Sequence, residues 1–282
     1  HPCIVTAIST RLAVTIEEAQ SGGVHIDTPG VSNSNFITSA LGTVSKKWGA
    51  LPANMSIRTR SEFTDTYWLG SSAAVTVATV FALQQFLGKR AAVKDVFDLS
   101  YEAVLAIQGV GSGFDVAVAT FGGTLLYTRR KPIVQLKITT MPLVVGYTGT
   151  KADTATIVKD VAKKRERDTE KVDRIFAACA QLTNQAKIAM EESDWKRAGK
   201  FMDFNQEYLR DIGVSSEKLE ALISAAKNAG AYGAKLSGAG GGDCMIALAP
   251  QEKRKGIEEA IVSVGGQVIH IESGAQGVRM EP

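Results

Sequence analysis

The chain has 282 residues, 45% of them hydrophobic and 22% charged, with a formal net charge of +3. That balance suits one large or two modest globular domains and argues against a disordered or fibrous chain. The densest charged run, Lys163-Lys164-Arg165-Glu166-Arg167-Asp168, is broken by acids and reads as a solvated helix face, so nucleic acid is not an expected partner.

Three cysteines, Cys3, Cys179 and Cys244, lie far apart without metal-ligand spacing, which predicts a reducing compartment and no structural zinc. No apolar run approaches the roughly 20 residues that span a bilayer, so no membrane partner is expected and the expected location is the cytoplasm. The opening His1-Pro2-Cys3-Ile4 lacks Met and a charged leader, so His1 is not expected to be the gene's first residue.

In chain order, β-branched and apolar residues from Cys3 to Ile16 predict a strand. Apolar spacing over Asn35 to Trp48 predicts a helix ended by Gly49, and the alternation over Ser56 to Ser61 predicts a half-exposed strand. After Gly70-Ser71-Ser72, the small and apolar run Ala73 to Leu87 predicts a helix buried on most sides. A further helix is expected over Asp98 to Ile107, then strands over Thr124 to Tyr127 and Pro142 to Gly146. Two or three amphipathic helices fill Thr154 to Leu209, and another runs from Ser215, read as its cap, to Ala229. On that last helix Lys218 is expected to pair with Glu217 and Glu220. A strand over Cys244 to Leu248, a helix over Glu252 to Ser263 and a strand over Gln267 to Ile271 end the chain. The expected domains are 1–135 and 136–282, the second a compact α+β unit.

Three glycine-rich segments carry the chemistry. Gly70-Ser71-Ser72-Ala73-Ala74 leads straight into a helix, which exposes first-turn amides at the positive end of the helix dipole. It is either a phosphate cradle, whose serine hydroxyls also suit Mg²⁺, or a serine-capped packing helix. Gly111-Ser112-Gly113-Phe114-Asp115 sets one carboxylate among small residues. Asp115 either orients and deprotonates an attacking hydroxyl or caps the following turn. Gly238-Ala239-Gly240-Gly241-Gly242 is too rich in glycine for a helix or strand interior, and suits either close approach to a ligand or a tight connection.

Taken together and in this order, the three segments resemble the signature motifs of the GHMP kinase superfamily. Gly146-Tyr147-Thr148-Gly149-Thr150-Lys151, Gly230 to Ser237, and Asn205-Gln206 followed by Ile212-Gly213-Val214 further resemble the archaeal-type mevalonate kinases. The resemblance implies an α+β chain with a ribosomal protein S5 domain 2-like N-terminal domain and a ferredoxin-like C-terminal domain. It implies ATP-dependent phosphorylation of the 5-hydroxyl of mevalonate in isoprenoid biosynthesis, with ATP and Mg²⁺. Phosphomevalonate kinase and a non-catalytic metabolite binder stay open as alternatives, as does a homodimer.

By the same resemblance Asp115 is the catalytic carboxylate. Gly70, Ser71, Ser72 and Ala73 hold the phosphates, and Ser72 ligates Mg²⁺. Gly238, Ala239, Gly240 and Gly241 close the phosphate side. Ser112, Gly113, Thr148, Lys151 and Ser237 contact the acceptor. The family's opening Pro-Gly-Lys motif is absent and is expected upstream of His1. Trp68 stands where the family has a flexible loop, and either stacks on adenine or obstructs it. Val104 replaces a metal-binding glutamate, which leaves Mg²⁺ to Ser72 and water. Asp243 replaces a glycine and must turn away from the phosphates.

Overall fold

A computed structural model describes residues 1–20, 22–29, 34–62 and 70–281. The chain is α+β and divides into two compact units. Val5–Gly123 with Ala275–Pro282 form the N-terminal unit, and His1–Ile4 with Thr124–Gly274 form the C-terminal unit.

In the N-terminal unit, β2 (Leu12–Glu18), β3 (Gly23–Asp27) and β4 (Asn54–Ser61) make a sheet in the order β2-β4-β3. β2 runs antiparallel to β4, with Leu12 opposite Ser61, while β3 runs parallel to it, with Gly23 opposite Asn54. Met55, Ile57 and Thr59 alternate inward along β4. They meet α1 (Asn35–Trp48), α2 (Ser71–Phe86), α3 (Val93–Gln108) and α4 (Phe114–Phe121), which bring Ile37, Val44, Val75, Val77, Leu83, Val96 and Val116 into the core.

The α2 helix has no polar face, as the run from Ala73 to Leu87 predicts. Its buried threonines satisfy themselves one turn back: Thr76 Oγ1 donates to the Ser72 carbonyl and Thr79 Oγ1 to the Val75 carbonyl, both at 2.7 Å. The segment after Gly274 closes this unit. Gly122 and Gln276 form a β-bridge so tight that a Cβ on Gly122 would lie 2.0 Å from the Gly277 amide nitrogen.

A small sheet in the order β1-β5-β6 is formed by β1 (Cys3–Thr6), β5 (Thr124–Tyr127) and β6 (Val134–Gln135), the last two of which lie in the C-terminal unit. The Cys3–Ile16 stretch is thus two strands rather than one. The main sheet is built from β7 (Leu143–Tyr147), β8 (Gly233–Leu236), β9 (Cys244–Leu248) and β10 (Gln267–Ile269), antiparallel throughout in the order β10-β7-β9-β8. Helices α5 (Thr154–Arg167), α6 (Thr169–Glu191), α7 (Trp195–Asp211) and α8 (Glu217–Asn228) lie between β7 and β8 in the chain. A single turn, Gln251–Lys253, and α9 (Arg254–Ser263) lie between β9 and β10. Strand–helix–strand–strand–helix–strand with this spatial order is the ferredoxin-like arrangement.

Leu219, Leu222, Ile223, Ile257 and Ile261 cover one sheet face, and Ala189, Met190, Ala198 and Met202 cover the other. That double burial explains why every residue of β7 is buried. The expected boundary at residue 136 falls inside this unit. β5 pairs with β6, Leu125 opposite Gln135, and Leu136 packs into the same core as Leu143 and Leu248.

Candidate active site

Two helix beginnings stand out in the N-terminal unit. Gly70 precedes α2 with φ +80° and Gly113 precedes α4 with φ +86°, both left-handed, and neither helix has a side-chain cap. The first intrahelical bonds are Ala74 N–H to the Gly70 carbonyl and Ala117 N–H to the Gly113 carbonyl, each at 2.9 Å. The amides of Ser71, Ser72 and Ala73 therefore sit ahead of the helical ladder, at its electropositive end.

Asp115 is the second residue of α4 and half-buried. Burial pushes its carboxyl above the usual carboxylate range, and the amide of Val116, donating to Oδ1 at 3.1 Å, offsets only part of that rise. A Cβ placed on Gly70 would lie 3.9 Å from Asp115 Cβ, so the start of α2 stands against the Asp115 side chain. Asp115 thus lies inside α4 and is not the cap of a turn. Ser112 is exposed and Gly113 buried.

Val104 is 3% exposed among the apolar residues of the N-terminal core. That position supplies no oxygen ligand, and no trio of His, Cys, Asp or Glu suited to a metal occurs among the described residues. Among the described residues, the oxygen donors at and beside the α2 start include the Ser71 and Ser72 hydroxyls and the Asp115 carboxylate. The latter two suit Mg²⁺, which takes one or two protein oxygens and completes its shell with phosphate and water. Trp68 lies outside the described residues.

In the C-terminal unit the glycine-rich loop joins β8 to β9, and Ser237 N–H bonds the Cys244 carbonyl at 2.9 Å across its neck. Its glycines divide by task. Gly238, at φ +82°, is exposed and a Cβ there would meet nothing within 4 Å. A Cβ on Gly240 would lie 2.1 Å from the Val214 carbonyl oxygen, one on Gly241 would lie 2.6 Å from Ile157 Cδ1, and one on Gly242 would lie 2.7 Å from the Thr150 carbonyl oxygen. Close approach is real at these three positions, and the partner is the protein itself.

Asp243 ends the loop in the left-handed region at φ +55°. Its amide donates to the Thr150 carbonyl at 2.7 Å, its carbonyl accepts from Thr148 N–H at 2.9 Å, and its Oδ1 accepts from Ala152 N–H at 3.1 Å. The carboxylate is turned onto the β7–α5 connection. Burial raises its pKa, while the Ala152 amide and the nearby Lys151 ammonium oppose that rise. Thr148 is 4% exposed and its hydroxyl is engaged with the backbone of Thr150 at 3.3 Å, so it shapes the turn from within. Lys151 is exposed.

Sequence reasoning missed several partners here. Lys218 donates to Thr150 Oγ1 at 2.8 Å instead of pairing with Glu217 and Glu220, and Glu220 is held by Arg210 at 2.6 Å. Ser216, not Ser215, caps α8, accepting from Leu219 N–H at 3.4 Å. Lys235 is half-buried on β8, within electrostatic reach of the thiols of Cys179 and Cys3, and desolvation draws its pKa down to about 8. Only a reading that placed Gly233–Leu236 in a strand could have flagged that side chain.

Residues 35–123 match the GHMP kinases N terminal domain and residues 186–267 match the GHMP kinases C terminal domain. The mevalonate kinase of Thermococcus gammatolerans is 32% identical over 99% of this chain and 92% of its own length. The L. major mevalonate kinase, solved in complex with R-mevalonate, superposes with a TM-score of 0.84 at 24% identity, covering 98% of this chain and 90% of that one. The galactokinase of Lactococcus lactis, complexed with galactose, gives 0.82 at 15% identity over 98% and 88%. The fold is common to kinases of different acceptors, so acceptor choice rests on sequence relationship.

Proposed function

From the premise that the chain belongs to the GHMP kinases and is related to their mevalonate kinases, we propose that it transfers the γ-phosphoryl group of ATP to the 5-hydroxyl of mevalonate. One observation carries the reaction class: the uncapped start of α2 stands against the half-buried Asp115 carboxyl. Anion-binding amides beside a carboxylate of raised pKa suit a reaction that holds a phosphoryl group and takes a proton from a hydroxyl.

In this reading the amides of Gly70, Ser71, Ser72 and Ala73 bind phosphate oxygens, and Asp115 orients and deprotonates the acceptor hydroxyl. Ser112 and Gly113 line the acceptor side of α4. Ser72, with Asp115 nearby, holds the Mg²⁺ that accompanies ATP, and that ion supplies charge neutralisation on the phosphates. In the C-terminal unit, Gly238, Ala239, Gly240 and Gly241 shape a loop whose exposed end at Gly238 offers backbone to phosphate. Ser237 and the exposed Lys151 offer a hydroxyl and a cation to acidic ligands.

The test is ADP formation by the purified full-length protein with ATP and, in turn, mevalonate, phosphomevalonate or no acceptor. Turnover with mevalonate alone is expected. Turnover only with phosphomevalonate would move the assignment to the next kinase of that substrate series, and none with either would make the chain a binder.

A further inference from the structure

Gln206 on α7 is 2% exposed, and both ends of its amide are engaged. Its Nε2 donates to Ser215 Oγ at 2.9 Å and to Glu220 Oε1 at 2.8 Å, and its Oε1 accepts from Leu236 N–H at 2.9 Å. Ser215 Oγ in turn donates to Glu220 Oε1 at 2.6 Å, and Arg210 donates to Glu220 Oε2 at 2.6 Å. Burial raises the Glu220 pKa, but the Arg210, Ser215 and Gln206 donors outweigh it and hold the carboxyl below its usual range. One buried amide therefore ties α7, the α7–α8 turn, α8 and β8 together.

The two ends of this network are the two supports of the glycine-rich loop. Leu236 is the last residue of β8 and hands the chain directly to Ser237. Val214, next to Ser215, gives its carbonyl to Gly241 N–H at 2.7 Å and occupies the space where a Cβ of Gly240 would fall. An apolar side chain of similar size would fill the site without fixing the distance between these supports. A fully bonded amide does fix it, since a hydrogen bond left unmade in a buried site is costly.

We propose that Gln206 is a positioning residue, which sets the shape of the loop from Ser237 to Asp243 through Leu236 and Val214 and so governs that loop's grip on the phosphates of ATP. The proposal rests on reading that loop as part of the nucleotide site. Gln206→Glu in the full-length protein sets a second carboxylate against Glu220 and removes both donors. It should raise the KM for ATP by about tenfold or more, with the KM for mevalonate moving less than about twofold. Gln206→Met, which fills the space without the bonds, should show the same selective rise.

Pairing Gln206→Glu with Glu220→Gln restores one amide facing one carboxylate, and should bring the ATP KM back to within about threefold of the parent. Lower thermal stability with both KM values unchanged would overturn the proposal. So would an equal rise in both KM values, or a folded paired variant that does not recover. Gly238→Asn tests the underlying reading separately, because Asn tolerates the left-handed backbone there and its Cβ enters open space. An unchanged ATP KM there would remove the loop from the nucleotide site, whatever Gln206 does.

Discussion

Four helix beginnings of the C-terminal unit and two of the N-terminal unit are treated in opposite ways. In the C-terminal unit α5, α6, α7 and α8 start on Asp153, Asp168, Asp194 and Ser216, each of which turns its side-chain oxygen onto a first-turn amide. In the N-terminal unit α2 and α4 start on glycines in the left-handed conformation, with no side chain turned back. A capped amide is already spent, whereas an uncapped one at the positive end of a helix is available to an anion. The contrast separates ends that serve stability from ends that can serve a ligand, and it can be tested at both kinds.

The largest effect is expected at Asp115, beside the uncapped pair. Asp115→Asn should lower kcat by roughly 10² to 10⁴-fold, the usual contribution of a positioned base, with ATP affinity nearly unchanged. Because burial holds this carboxyl above its unfolded value, the native state binds the proton more tightly than the unfolded chain. The resulting stability is present below the unfolded pKa and is lost as pH rises through the folded one. At neutral pH the ionised group is thus a cost, and Asp115→Asn should unfold in urea no earlier than the parent. In the parent, kcat should fall on acidification with a midpoint above the ordinary carboxylate range. A midpoint at or below that range would dissociate the limb from Asp115.

A smaller effect is expected at Gly70. A side chain there is strained by about 1 kcal/mol in the left-handed region, and relief of that strain shifts the first-turn amides of α2. Gly70→Ala should weaken ATP binding by about tenfold, measured by calorimetry, and leave mevalonate binding intact. Equal loss of both ligands would point to a general disturbance of the unit. At a capped end the signature reverses. Asp194→Ala should cost about 1 kcal/mol in urea unfolding and change neither KM.

The sequence reveals helices better than it reveals their meeting points. α1 is legible from Asn35 to Trp48 because its apolar period is regular and Gly49 ends it. α4 is not, since its eight residues lie between Gly111-Ser112-Gly113 and Gly122-Gly123 and read as one glycine-rich loop. β3 hides behind an almost wholly exposed pattern, and β8 because it runs directly into the glycines it supports. The order of the motifs along the chain identifies the family, but it cannot show Gly70 against Asp115. Nor can it show that Gly240, Gly241 and Gly242 are glycines on account of Val214, Ile157 and Thr150. Those are facts of close packing, which single-residue patterns do not encode.

Asp243 shows how such packing answers a demand set by charge alone. A carboxylate in a phosphate loop reads as repulsive, yet this one accepts the Ala152 amide and sits in a left-handed conformation that Asp and Asn tolerate better than most residues. Asp243→Asn keeps the acceptor and the backbone preference and removes only the charge. Its stability should stay within about 0.5 kcal/mol of the parent and its ATP KM within about twofold. Asp243→Gly gives up the Ala152 hydrogen bond, worth about 1 kcal/mol, and regains part of that through relief of the left-handed backbone. A tenfold tighter ATP affinity in Asp243→Asn would mean that the carboxylate acts on the phosphates after all. The loop's ends would then be tuned to weaken nucleotide binding, and the hydrogen bond to Ala152 would not be what keeps Asp243 in place.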